Sequence, residues 1–164
     1  MQAYQTREFE MPALRTGIHC GSFLYFEQTG SYRRLAPGFA RVMEYARSIG
    51  LPSERPRAAV LLSDPEYTPE QELISRVGIL LRDAGLPEIE MPFQAESLDG
   101  IRFCAAEYRG SLEDVPAFYR DMTKLLAAEG YSLCGYPMEV YLKDPSLAEL
   151  DGHCHIRVHM PILG

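Results

Sequence analysis

Apolar and polar positions alternate along Pro137–Lys143, with Met138, Val140 and Leu142 on one face and Pro137, Glu139 and Tyr141 on the other. A period of two predicts a strand, and the Asp144-Pro145 turn signal stops it. The same reading predicts strands over Phe23–Thr29, Ala58–Ser63, Ser75–Leu81, Ile101–Tyr108 and His155–Pro161. Two segments have helical spacing instead. Leu35, Phe39, Val42, Met43 and Ala46 recur until Gly50, and Val115, Phe118, Tyr119, Met122, Leu125 and Leu126 recur before Gly130. Pro37 fits only a first helical turn, which starts the first helix near Ala36, with Ser31 or a neighbour as its cap. Leu81–Pro87 reads as a connector, and Phe9–Met11 and Ile89–Met91 as short strands or lead-ins.

Slid against itself by 80 positions, the chain matches at Glu8/Glu88, Glu10/Glu90, Met11/Met91, Pro12/Pro92, Phe23/Phe103, Glu27/Glu107, Gly30/Gly110 and Ser31/Ser111. It matches again at Gly50/Gly130, Val60/Val140, Leu62/Leu142, Asp64/Asp144 and Pro65/Pro145. Average composition would give roughly three or four such identities over this span, so we read an internal duplication. The repeats are about 8–81 and about 88–163 within one domain, 1–164. Each is a β-α-β-β unit. Two units predict an α+β fold: a pseudo-twofold antiparallel sheet, two main helices on one face and a central groove between them.

The duplication isolates one residue. Glu139 aligns with Ala59, and Tyr141 with Leu61, so the same strand position accepts an apolar side chain in the other half. A carboxylate among apolar neighbours is costly when buried unless something neutralises it, which makes Glu139 a candidate ligand-binding group and Tyr141 its partner. An ion pair or an open sheet face is the structural alternative. Glu27 and Glu107 occur in both halves and read as structural, with hydrogen bonds near the helix starts. Groove candidates beside Glu139 are Tyr25, Phe103, Tyr119 and Tyr136, with Phe23, Tyr108 and Phe118 as weaker ones. Ala105 and Ala106 are small where their mates Tyr25 and Phe26 are large, which predicts a lopsided cavity.

A 46% hydrophobic chain of 164 residues is ordinary globular composition. A net charge of -7, with no basic run longer than Arg33-Arg34, argues against direct nucleic-acid binding and mildly favours cationic ligands. Apolar runs such as Val77–Leu81 are too short to span a membrane, the N-terminus has no signal-peptide pattern, and cytoplasmic location is the default expectation. Cys20, Cys104, Cys134 and Cys154 form no C-x-x-C pair and read as small hydrophobes. His153, His155 and His159 share one strand face; a metal site there would need further ligands and a second shell, so a polar strand face is the simpler reading. No metal or cofactor is expected. No Ser-His-Asp spacing or Gly-rich phosphate loop is present.

The order of Phe103–Gly110, a helix, Glu129-Gly130-Tyr131, Pro137–Pro145 and a last strand ending Met160-Pro161-Ile162 resembles the GyrI-like small-molecule-binding domain. It is also similar to the effector-binding domains fused to AraC-type and MerR-type regulators. Ala59–Leu73, with its Asp-Pro turn and Thr68-Pro69-Glu70 segment, resembles the family's first half. The resemblance implies a duplicated β-α-β-β fold whose aromatic-lined groove takes amphipathic, often cationic, molecules, with the groove carboxylate at Glu139. Stand-alone members, the kind this chain is expected to be, are linked to protection against toxins; some modulate DNA gyrase and some hydrolyse cyclopropane-bearing alkylating agents. The chain has no Trp, so any aromatic wall comes from Tyr and Phe. Three functions stay open: a small-molecule-binding protein, a hydrolase of strained electrophiles with Glu139 as base and Tyr141 orienting water, and a modulator of gyrase or of a transcription regulator. Oligomeric state is open as well.

Overall fold

A computed structural model describes residues 14–52, 55–82 and 86–163. Eight strands form one antiparallel sheet: β1 (Arg15–Ile18), β2 (Ser22–Thr29), β3 (Arg57–Leu61), β4 (Ile74–Leu81), β5 (Gln94–Ser97), β6 (Arg102–Ser111), β7 (Met138–Tyr141) and β8 (His153–Pro161). Their order across the sheet is β1-β6-β8-β7-β3-β4-β2-β5. Helices α1 (Ala36–Ser48), α2 (Val115–Ala128) and α3 (Pro145–Asp151) complete an α+β fold. Strand, helix, strand, strand follow one another as β2, α1, β3 and β4, whereas after β6, α2 and β7 the helix α3 intervenes before β8; the two halves of the sheet meet where β7 pairs with β3.

Parity along the strands sorts the side chains. On the helix face, Leu24, Phe26, Ala59, Val77 and Ile79 pack with Phe39, Val42 and Ala46 of α1. Cys104, Ala106, Ile156 and Val158 pack with Phe118, Met122 and Leu126 of α2. Both long helices therefore lie on one face, over opposite halves of the sheet. Tyr119 and Tyr141 pack against both clusters and form the seam between them. The other face carries Phe23, Tyr25, Ala58, Met138 and Val140.

Local sequence explains where the helices begin and end. Pro37 lies in the first turn of α1, and Gly50, in the left-handed region at φ 79°, ends it. No side chain caps α1 from its own loop; instead the Ala36 amide donates to Glu149 Oε1 of α3 at 2.8 Å. The expected Ser31 cap is thus replaced by a carboxylate from the far half, favoured by the positive end of the helix. Asp144 caps α3 by accepting from the Ser146 amide at 2.9 Å, Pro145 fills the first turn, and Gly152 ends it at φ 76°.

Three expectations need correction. Asp144-Pro145 starts a helix rather than only stopping a strand, because an aspartate N-cap followed by proline is also a helix-start signal. Ile89–Met91 is not a strand; the edge strand beyond β2 is Gln94–Ser97. Glu27 and Glu107 are not at helix starts but on the face away from the helices, in pairs with Arg76 at 3.1 Å and His155 at 3.4 Å. Phe9–Met11 lies outside the described residues.

Gly78 sits in β4 where a Cβ would fall 1.9 Å from the Leu24 carbonyl oxygen. Backbone cannot yield as a side chain can, so Gly78→Ala is expected to destabilise the fold by about 2 kcal/mol or more. A denaturant midpoint equal to that of the parent protein would refute this packing.

Candidate functional site

Register places Glu139 at the middle of the sheet. The row of side chains crossing it on the helix face is Phe26, Val77, Ala59, Glu139, Val158 and Ala106. Glu139 is the one polar residue in that row and only 7% exposed. No ion pair reaches its carboxylate among the described residues, and the polar group that acts on it is the Tyr119 hydroxyl. The simplest compensation, an arginine, is near but committed elsewhere. Arg57 lies opposite Tyr141 in the register, yet its Nε donates to Met43 Sδ at 3.2 Å and its Nη1 lies 3.7 Å from Asp144 Oδ1.

Three tyrosines surround the carboxylate. Tyr141 lies two residues along β7 and meets the Phe39 ring of α1 edge-on, centroids 5.1 Å apart. Tyr119 descends from α2, with its hydroxyl buried and without a hydrogen-bond partner of ordinary geometry. Tyr32, before α1, is held by Ser63 and the Ile74 carbonyl at 2.9 Å. Burial, and after it the Glu139 charge, holds the Tyr119 and Tyr141 hydroxyls well above the usual phenol range. Tyr32 is raised as well, first by burial.

Burial also pushes Glu139 up, to about 7, and the Tyr119 hydroxyl opposes this only in part. That hydroxyl approaches the carboxylate closely enough to favour its ionised form but not in good hydrogen-bond geometry, so desolvation wins. The result is a carboxyl that gains or loses its proton near neutral pH. Such a group can act as a counter-charge or as a base.

The sequence-derived candidates divide by strand parity. Glu139, Tyr141 and Tyr119 come together, as does Ala106. Tyr25, Phe103 and Ala105 lie on the opposite face: Tyr25 stacks with Phe23, and Phe103 with His159. Tyr136 is 58% exposed in the loop before β7. Of the small and large mates, only Ala106 and Phe26 face the helices. Phe39 and Tyr32 belong to the site and were not foreseen. Phe39 shows in the sequence only as a core helix position, and Tyr32 only as a loop residue.

Two other places hold polar groups. A cleft of about 870 Å³ is lined by Arg33, Arg34, Glu70, Glu113, Glu149 and Asp151, two cations and four carboxylates in an open setting. It adjoins the buried site through Glu149, whose charge is felt at Tyr141. We place the site at Glu139 because, among the described residues, it is the one carboxyl that is buried, and it has no ion pair. On the far face, Arg157 Nε donates to His159 Nε2 at 2.8 Å, and burial pushes His159 down to about 3. Among the described residues no group of three His, Cys, Asp or Glu is arranged to hold a metal, and no helix is long and apolar enough to cross a membrane.

Residues 22–158 match the family model described as the GyrI-like small molecule binding domain. No curated protein matches the chain in sequence. Among solved structures, the EcmrR C-terminal domain is 14% identical with a TM-score of 0.66, over 92% of this chain and 96% of that one. The chain spans 56% of the EcmrR chain in its DNA complex. A hydrolase of Listeria innocua encoded by lin2189 is 10% identical, TM-score 0.65, over 94% of both chains. SAV2435, solved bound to tetraphenylphosphonium, is 8% identical, TM-score 0.53, over 93% of this chain and 94% of that one. These likenesses are of fold.

The raised carboxyl makes stability depend on pH in a defined direction. The folded state holds its Glu139 proton more tightly than the unfolded chain, whose value is near 4.5, so stability is fully present below about 4.5 and falls as pH rises to about 7. The loss amounts to about 3 kcal/mol. Glu139→Gln cannot ionise and is expected to match the parent protein at pH 4.5 and exceed it by about that amount at pH 8. Unfolding curves in denaturant that keep a constant difference across this range would contradict the assignment.

Proposed function

The chain belongs to the GyrI-like small molecule binding domain family, and from that premise we propose that it binds an amphipathic organic cation over the centre of the sheet, with Glu139 as counter-charge. One observation carries this reading: a carboxyl 7% exposed, at the middle of an apolar row, with no ion pair to match it among the described residues. A bound cation would supply what the fold withholds. Tyr119, Tyr141 and Phe39 offer the aromatic surface, and a cation near such rings gains further. The fold likeness to SAV2435 bound to tetraphenylphosphonium supports the same chemistry. In a cell, such binding would withdraw a toxic cation from its target.

A second reading, hydrolysis of a cyclopropane-bearing electrophile, is favoured by one specific feature. A carboxyl at about 7 is half-ionised at neutral pH, which suits a general base. Glu139 would take a proton from water as the water oxygen bonds to the ring carbon and the strained C–C bond opens, the released electron pair passing into the substrate's conjugated acceptor, which then takes the proton back from Glu139, with Tyr141 orienting the water. Likeness of fold to the Listeria innocua hydrolase is compatible with this and does not identify a substrate. Incubation with a cyclopropane-bearing alkylating agent separates the readings. Ring-opened product in excess of protein, lost in Glu139→Gln, establishes the hydrolase; stoichiometric protection without product establishes binding.

Binding of a cation fixes Glu139 in its ionised form, so association below about pH 7 releases a proton. Affinity is expected to fall about tenfold per pH unit as pH drops from 6.5 to 5, and to level off above 7.5. Glu139→Gln should weaken binding at pH 8 by at least about tenfold, while Glu107→Gln, on the opposite face, should change it less than about twofold. Titration calorimetry in buffers of different ionisation enthalpy reads both effects. A pH-independent affinity, or equal losses in the two variants, would remove Glu139 from the site.

A further inference from the structure

We propose that the face of the sheet away from the helices holds a second binding site, for the carboxylate of an aromatic or apolar acid, anchored by Arg157 beside His19. It is separate from Glu139, which lies on the helix face, and does not depend on the function given to that residue. Hydrogen-bond direction, local charge and ring packing support it.

Arg157 Nε donates to His159 Nε2 at 2.8 Å, and His159 Nδ1 lies 3.4 Å from His19 Nε2. Burial, with His19 and Arg157 adding to it, pushes His159 down to about 3, so its ring is neutral. A neutral ring that accepts at Nε2 carries its proton on Nδ1, and His159 therefore donates to His19 Nε2. His19, itself lowered by burial and then by the Arg157 charge, holds its own proton on Nδ1. The chain thus runs in one direction and leaves two sets of donors, the Arg157 Nη groups and the His19 Nδ1–H, with no hydrogen bond or ion pair among the described residues. Glu107, opposite Arg157 in the register, lies instead 3.4 Å from His155 Nε2. With Nε engaged, Nη1 and Nη2 remain as a pair that can take both oxygens of a carboxylate.

On the outward face of β1, β6 and β8 the arginines Arg15, Arg109 and Arg157 stand against one carboxylate, Glu107, in a chain whose net charge is -7. A positive patch on an acidic protein raises the local concentration of anions. The helices pack on the opposite face, so no helix N-terminus lies behind the patch, and the amides of β6 and β8 are engaged between neighbouring strands. Donors from side chains alone suit the two oxygens of a carboxylate better than a phosphate, which draws on backbone amides. Rings adjoin these donors. Phe103 stacks on His159 with centroids 4.2 Å apart and lies 4.4 Å from His19. Gly17 makes room for that ring, since a Cβ there would fall 2.6 Å from Phe103 Cζ. Phe103, His19 and Arg157 all remain partly exposed, which offers ring surface to the body of the acid beside the donors for its carboxylate.

The test is titration calorimetry at pH 8 with 3-phenylpropionate and its neutral amide, 3-phenylpropionamide. The acid is expected to bind about tenfold more tightly than the amide. Arg157→Gln keeps a side-chain donor for His159, and a thermal melt checks its fold; it should weaken the acid about tenfold and leave the amide unchanged. In the parent protein the acid should also move the ring nitrogen resonances of His19 in ¹⁵N NMR and leave those of the exposed His153 in place. Equal affinities for acid and amide, or binding of neither, overturn the site. Undiminished binding of the acid in folded Arg157→Gln overturns the anchor, and if that variant does not fold, unmoved His19 resonances do the same. Displacement of the acid by inorganic phosphate at a lower concentration than by acetate overturns the carboxylate class.

Discussion

The structure turns on the desolvation of one carboxyl group. Glu139 lies in β7, at the junction of the two halves, and its cross-strand neighbours are Ala59 and Val158. Water is excluded there by the packing of α1 and α2 onto the same face, the packing that stabilises the fold as a whole. The helices cannot cover the sheet without also covering Glu139. Burial raises its proton affinity to about 7 instead of being offset by an ion pair, so the carboxyl rests close to the point of charge change.

The surrounding elements keep that balance. Tyr119 and Tyr141 belong to both hydrophobic clusters, which fixes their rings by packing on each side rather than by hydrogen bonds of their own. Arg57 might have neutralised the site, but Met43 of α1 and Asp144 at the start of α3 hold its guanidinium. Asp144 thus has two roles, capping α3 and drawing Arg57 aside. Helix α3 in turn supplies Glu149 to the amide end of α1, which joins the start of the first helix to the second half of the chain.

Much of this could be read in the sequence, and the failures have physical causes. The six strands expected and both long helices match the structure because strong periodicity and Gly or Pro boundaries mark them. Glu139 and Tyr141 stood out against Ala59 and Leu61. Tyr25, Phe103 and Ala105 could not be assigned a face, because alternation tells which residues share a side of a strand but not which side meets the helices. That depends on pairing register between distant segments. Helix α3 was missed because Asp-Pro serves both as a turn and as a helix start. In the first half, Thr68-Pro69 disfavours helix right after Asp64-Pro65, whereas Ser146-Leu147-Ala148-Glu149 permits it. The identical dipeptide thus has different outcomes in the two halves.

The two faces of the sheet show why the unmatched charge is the informative one. On the face away from the helices, Arg76 meets Glu27 and Glu96, His155 lies between Glu107 and Arg109, and Arg157 donates to His159. Arg76, Glu27, Glu96, Glu107 and His155 are partly exposed and lie beside groups of opposite or complementary character, and the buried His159 is held by the Arg157 hydrogen bond. Among the described residues the helix face offers Glu139 no such ion pair, and its cross-strand partner is the apolar Ala59. An apolar residue of similar size there would spare the fold the desolvation of a carboxylate. A carboxyl whose burial lowers stability at neutral pH, set among aromatic rings, is what the proposed cation-binding role requires.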